Sequence, residues 1–305
     1  MWQTIARSSF LLKCQLQLHA YWLRLSRQDY QYQIGPFTLA LPPEHALPRY
    51  QAQYPLYDKF LTTLAAQLPA QSRVIDVGAN CGDSAAAMLS GNPQLDVLCI
   101  EADPMFGRYL QTNLTTLAQQ CPDAQLHWHQ ALVGLQIGAA GLTGSGGTRK
   151  AMPVTTLPTT SAAVLHTETL DTILQKWPTK PVSLLKIDVD GYDFDVLDSA
   201  SHLISTQRPL LFFEYQCDHV AQQQGYQRTL LQLAAQGYQH WLLFDNFGQL
   251  ILSTGEPAVL FQLQAYICQQ RPLNTAGKIE YFDILAATAE HSALIEKILQ
   301  QQGHQ

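Results

Sequence analysis

Val74-Ile75-Asp76-Val77-Gly78-Ala79-Asn80-Cys81-Gly82-Asp83-Ser84 passes from an apolar strand through a glycine turn into the start of a helix. Gly78 and Gly82 let the backbone come close to a ligand. The spacing is not the Gly-x-Gly-x-x-Gly of a dinucleotide site, and no phosphate-loop Gly-Lys-Ser/Thr follows. Asp76 is the informative residue. A carboxylate at a strand end repels a pyrophosphate, whereas it suits a cofactor carrying an ammonium and a sulfonium, as S-adenosylmethionine does. Glu101 closes the next apolar run, where a carboxylate can accept both hydroxyls of a ribose. The expected cofactor contacts are therefore Asp76, Gly78, Asn80, Gly82 and Glu101, with Gln130 at the end of the third run placed to meet an adenine amine.

Outward from this stretch, short apolar runs at 73–77, 96–101, 126–133, 182–188, 209–214, 240–245 and 280–286 read as strands. Between two of them, Asp103-Pro104 supplies an N-cap and a first-turn proline ahead of Phe106, Leu110 and Leu114. Tyr192, Val196, Leu197, Ala200, Leu203 and Ile204 form the stripe of another helix. Continuous apolar strands alternating with helices predict an α/β fold whose parallel sheet is covered on both faces. The ligand crevice of such a sheet lies outside the carboxyl ends of its strands. Residues 29–54, broken by Gly35, Pro36, Pro42, Pro43 and Pro48, read as a loop-like connector.

The strand-end motifs carry a resemblance. Residues 74–84, then Ile100-Glu101-Ala102-Asp103-Pro104 with Leu110 and Asn113, resemble the first half of an FkbM-type S-adenosylmethionine-dependent methyltransferase. Thr169-Leu170-Asp171, Leu185-Lys186-Ile187-Asp188-Val189-Asp190-Gly191, Arg208-Pro209 and Phe212-Phe213-Glu214 are similar to the second half, and the second half is the more diagnostic. The similarity covers roughly residues 55–250, with Asp190 standing where the family usually has glutamate. It implies the class I methyltransferase fold, a doubly wound Rossmann-like seven-stranded sheet whose last strand, 280–286, is antiparallel. It also implies methyl transfer to oxygen, on a sugar, glycan or natural-product-like hydroxyl.

A sugar or aliphatic hydroxyl holds its proton far above neutral pH, so attack on a sulfonium methyl benefits from a positioned base or an acidifying metal. Asp188, Asp190 and Glu214 stand at or just past the ends of neighbouring strands and are the expected catalytic carboxylates. Asp188 is also an expected cofactor contact. Two mechanisms are open: one acid as general base, or two or three of these acids holding a divalent ion such as magnesium through oxygen ligands. The string from Asp188 to Asp195 is not a calcium loop, because its glycine is fourth, not sixth, and Ser199 stands where the twelfth-position glutamate belongs. Asp193 and Asp195 read as helix caps, and Lys186, inside an apolar strand, as a structural partner of a strand-end acid. His45 and His240 are possible substrate contacts by position.

Composition narrows the classes further. Of 305 residues, 47% are hydrophobic and only 14% charged, with a formal net charge of −6, which argues against a general nucleic-acid binder. No apolar run approaches the ~18–20 residues of a membrane span. The six cysteines form no CxxC pair, as suits reduced thiols in a cytoplasmic protein. Residues 1–28 carry Arg7, Lys13, Arg24 and Arg27 and no acid, interleaved with apolar residues. They read as an amphipathic helix that rests on an anionic membrane surface, packs on the main domain, or meets a second subunit in a homo-oligomer. The expected division is 1–54 for this helix and its connector, 55–290 for the catalytic domain and 291–305 for a C-terminal helix. A nicotinamide-dependent oxidoreductase shares such a sheet but lacks the glycine spacing, and a non-catalytic binding module on the same fold is the remaining alternative.

Overall fold

The computed structural model describes residues 28–135, 139–143, 150–153, 165–270 and 278–302. The basic segment, but for Gln28, and most of the glycine-rich stretch between 136 and 164 lie outside the described residues.

A hairpin of β1 (Tyr30–Ile34) and β2 (Phe37–Leu41) precedes two short helices, α1 (Leu47–Gln53) and α2 (Lys59–Ala65). β3 (Arg73–Val77), α3 (Asp83–Gly91), β4 (Asp96–Glu101), α4 (Pro104–Gln120) and β5 (Gln125–Gln130) build the first half of the main sheet. β6 (Leu132–Val133), β7 (Ala139–Thr143), β8 (Lys150–Pro153) and β9 (Leu165–Glu168) form a second sheet in the order β6-β9-β7-β8. After α5 (Leu170–Leu174), the second half contains β10 (Val182–Ile187), α6 (Asp193–Ser199), α7 (Ser201–Gln207), β11 (Leu210–Tyr215), α8 (Val220–Ala235) and β12 (Tyr238–Asp245). β13 (Leu250–Thr254), α9 (Pro257–Gln270), β14 (Phe282–Thr288) and α10 (Ser292–Gln302) complete the described chain.

The main sheet has the order β13-β12-β14-β11-β10-β3-β4-β5. β3, β4, β5, β10 and β11 are parallel, and β14 runs antiparallel between β11 and β12. The chain winds outward from β3 to β5 and then returns to β10 on the other side of β3, so the topological switch point lies between β3 and β10. This is the Rossmann-like class I arrangement with one difference: β13 adds an eighth strand, antiparallel on the edge of β12. The turn before it is made by Asp245, whose Oδ1 accepts the backbone N–H groups of Phe247 and Gln249.

Alternation along the strands divides the apolar residues between two faces. Leu184, Phe212 and Leu285 join the core on one side, while their successors or predecessors Leu185, Phe213 and Ile284 join the other. Burial on both faces explains why these strands read as continuous apolar runs.

Residues 29–54 are not the expected loop. Their prolines flank ordered elements, and the period-2 alternation Tyr30-Gln31-Tyr32-Gln33-Ile34 is a strand paired to β2 through a turn at Gly35, φ +55°. Ile34, Phe37, Leu39, Leu41 and Leu47 enter the same apolar cluster as α3 and α4. Asn113 of α4 ties this hairpin to the first motif: its Nδ2 donates to Ala40 O at 2.9 Å and Cys81 O at 2.8 Å, and its Oδ1 accepts from Ala40 N at 2.9 Å. Asp171 of the second motif serves α7 similarly, accepting from the backbone of His202 and Leu203 at that helix's N-terminus. Asn113→Ala is expected to lower unfolding free energy by about 2–4 kcal/mol in urea titration, because it removes the partner of one buried and two partly buried backbone groups. A change within about 0.5 kcal/mol would show that the hairpin is held by its apolar side chains alone.

Candidate functional site

The switch point opens between the ends of β3 and β10, and backbone contact sets its shape. Asp188 N donates to Val77 O at 3.0 Å, drawing the two strand ends together. Gly78 has φ +79°, and a Cβ there would stand 1.9 Å from Asp188 O, so the close approach of the chain after β10 requires glycine. Asn80, φ +48°, turns the loop so that its N–H meets Glu101 Oε2 at 2.8 Å, while Asp103 N donates to Glu101 Oε1 at 2.7 Å. Burial raises the Glu101 carboxyl to about 7 against the pull of those two donors. Asp103 also caps α4 through Met105 N at 2.7 Å.

Two adjoining spaces share Gly78, Asn80, Asp188 and Asp190 on their walls. The smaller, about 70 Å³, runs past Glu101 between Ile100, Phe106, Ala131 and Val133: an acid at one end and apolar walls beside it. The larger, about 440 Å³, lies over the ends of β10, β11 and β14 and has Asp188, Asp190 and Glu214 on its wall. The three expected catalytic acids are thus brought together around one cavity.

Lys186 and Asp76 are register partners on adjacent strands and form a buried ion pair at 3.0 Å. Ser84 Oγ also donates to Asp76, at 2.5 Å. Burial works against the Lys186 ammonium, yet Asp76, Asp188 and Asp83 outweigh it and hold its pKa above the ordinary value. Asp76 itself is fully buried and does not line either space, and its charge is met by Lys186. The exposed strand-end carboxylate is Asp188, whose side chain is 56% exposed and makes a longer ion pair with Lys186 Nζ at 3.7 Å.

Beyond β10, Asp190 at φ +57° and Gly191 at φ +93° reverse the chain in two consecutive left-handed residues. Glu214 is buried at the end of β11, and its Oε2 has no hydrogen-bond partner. Its pKa is raised well above the carboxylate range by burial and then by Asp188, Asp193 and Asp190. Asp193 and Asp195 both stand in the first turn of α6, where acids at a helix start are expected. Asp193 accepts from Glu214 N at 3.2 Å, and Asp195 holds Leu135 N at 2.7 Å, so both join distant segments. Among the described residues, no group of three His, Cys, Asp or Glu side chains is arranged to hold a metal ion. Asp188, Asp190 and Glu214 share a wall without forming a coordination sphere.

Gln130, expected to meet the adenine amine, is exposed and lines neither space. His45 reaches the cavity and stands 3.1 Å from Asn80 Oδ1, while His240 bonds Ser292 Oγ away from it. Sequence reasoning missed Asp58, whose pKa is raised to about 8 mainly by burial, and Asp283, which is raised well above its ordinary value for the same first reason. Asp283 carried a signal of the same kind as Lys186: a charge within an otherwise apolar strand.

The sequence profile of the Methyltransferase FkbM domain matches residues 76–240, more than half of the chain. Among solved structures, an FkbM methyltransferase from Methylobacillus flagellatus KT aligns at 15% identity and TM-score 0.39, over 77% of this chain and 50% of that one. This chain therefore spans half the length of that relative. An O-methyltransferase from Bacillus cereus in complex with SAH aligns at 12% identity and TM-score 0.42, over 80% of this chain and 89% of that one. A precorrin-6y C5,15-methyltransferase from Geobacter metallireducens GS-15 aligns at 9% identity and TM-score 0.38, over 75% and 86%. No curated protein matches the chain significantly.

Removing one member of the buried pair leaves the other charge uncompensated. Lys186→Met is expected to cost roughly 3–5 kcal/mol in urea unfolding, and adding Asp76→Leu to recover most of it. A double variant no more stable than the single one would contradict this account of the pair.

Proposed function

From its place in the FkbM methyltransferase family, to which the chain belongs, we propose that this protein transfers a methyl group from S-adenosylmethionine to a hydroxyl oxygen of a small-molecule or glycan acceptor. The observation that carries the reading is Glu214: a buried carboxylate with an unpartnered oxygen, on the wall of a cavity that adjoins the Glu101 groove. The residues around that groove suit the cofactor. Glu101 offers oxygens to the ribose hydroxyls, and Ile100, Phe106, Ala131 and Val133 give adenine an apolar slot. Asp188, exposed at the junction of the two spaces, takes the part first assigned to Asp76 and meets the ammonium of the methionyl end. When bound, S-adenosylmethionine supplies an electrophilic methyl on a sulfonium.

Glu214 accepts the acceptor's hydroxyl proton as the oxygen attacks the methyl carbon in line. S-adenosylmethionine, held by the residues around the groove, would supply the methyl carbon and leave as S-adenosylhomocysteine with the bonding pair on sulfur. Burial and neighbouring acids raise the Glu214 pKa and so make it a stronger base than a solvated carboxylate. Asp190, on the tight turn, positions the acceptor between the two.

The pH dependence has a defined sign. Only the ionised form of Glu214 is a base, and its pKa lies above the usual range, so kcat/KM is expected to rise with pH through an apparent pKa well above about 4.3 and then level off. Glu214→Gln should lower kcat by about 10²-fold or more in S-adenosylhomocysteine release, with cofactor affinity retained. A flat profile from about pH 5 to 8, together with near-normal kcat in Glu214→Gln, would remove Glu214 from this role.

A further inference from the structure

The larger cavity carries more acidic side chains than the proposed reaction needs. Besides Asp188, Asp190 and Glu214, its wall carries four further carboxylates: Asp58, Asp83, Glu280 and Asp283. The lysines on that wall are engaged, Lys186 with Asp76 at 3.0 Å and Lys278 with Glu280 at 3.9 Å. Glu214 and Asp283 are direct register partners on β11 and β14, so two acids face each other across adjacent strands, an arrangement that costs stability unless something positive lies between or above them. Glu214 is only 7% exposed, and its orphaned Oε2 is a second, independent sign of a missing donor. S-adenosylmethionine brings a net charge of only about +1, which its sulfonium, ammonium and carboxylate leave after cancellation.

The same wall is aromatic. Tyr50 and Tyr57 stack with ring centroids 5.5 Å apart, and both line the cavity with Tyr281. Tyrosines beside carboxylates in a partly enclosed space are the chemistry that recognises an organic cation, through charge and through the ring quadrupole together. A neutral polyol could hydrogen-bond Asp58 and Asp283, as a ribose does Glu101, but it would bring them no counter-charge.

We propose that the methyl acceptor is a hydroxyl compound bearing an ammonium group, of the amino-sugar or amino-alcohol class, with its cation held by Asp58 and Asp283 beside Tyr57 and Tyr281. This rests on the methyltransferase reading above and adds the acceptor's charge to it. The ammonium anchors the acceptor at the β14 side of the cavity. The hydroxyl then lies toward Glu214 and Asp188, on neighbouring strand ends.

The test titrates the whole protein calorimetrically, first with S-adenosylmethionine alone. The protein saturated with S-adenosylhomocysteine is then titrated with glucosamine, 2-deoxystreptamine and ethanolamine, each against its N-acetylated counterpart. At least one amine is expected to bind about tenfold or more tightly than its amide, and Asp283→Asn and Asp58→Asn are each expected to erase most of that preference. Cofactor binding with no amine preferred over its amide overturns the cationic acceptor and leaves the methyltransferase reading standing. Full preference retained in both variants overturns the assigned location. Magnesium chloride binding alone, lost in the same variants and with no amine preference, replaces the proposal with a divalent-cation site. Absence of S-adenosylmethionine binding overturns the methyltransferase reading itself.

Discussion

A lysine and an aspartate, paired across two fully buried parallel strands, hold the site in place. Lys186 and Asp76 occupy the same level of β10 and β3, where the chain changes its winding direction, and neither can be moved to water without unfolding the sheet centre. The pair neutralises the first acid of the glycine motif and leaves Asp188, two residues after the lysine, as the carboxylate that projects into open space. Gly78 then lets the Asp188 backbone close over the end of β3. One ion pair thereby decides which acids are structural and which face a ligand.

Around that anchor the protein accumulates features that cost stability: a left-handed Asp190, a buried Glu214 with an orphaned oxygen, and acids opposed on β11 and β14. A fold selected for stability alone would replace several of them with apolar side chains at little loss. Their concentration over the carboxyl ends of the strands suits a site for positively charged ligands.

The sheet was legible because each central strand is buried on both faces and so appears as a continuous apolar run, and because Asp103-Pro104 marks its helix start with local chemistry. The β1–β2 hairpin was hidden by prolines that flank it, and β13 by the solvent exposure that makes an edge strand look like a loop. Glu101, Asp188, Asp190 and Glu214 were found because strand ends converge in any doubly wound sheet. The partner of Asp76 was not legible because its counter-charge lies 110 residues away, and pairing at that distance is a property of register. Gln130, level with Glu101 in the register, occupies a strand-end position but is exposed, outside the groove. Asp58 and Asp283 approach the cavity from elements outside the motifs; Asp283 shows in the sequence only as a charge within an apolar strand, and their convergence does not show at all.

The central claim is that a carboxylate-rimmed groove at the β3–β4 end takes a sulfonium nucleoside and rejects a pyrophosphate. Calorimetric titration of the purified chain with S-adenosylmethionine and with NAD, repeated on Glu101→Ala, tests it most directly. The expected result is a Kd of about 1–100 µM for S-adenosylmethionine, no detectable heat for NAD, and a loss of about tenfold or more in affinity on removing the Glu101 carboxylate. NAD binding, or S-adenosylmethionine binding that is indifferent to Glu101, would contradict the account.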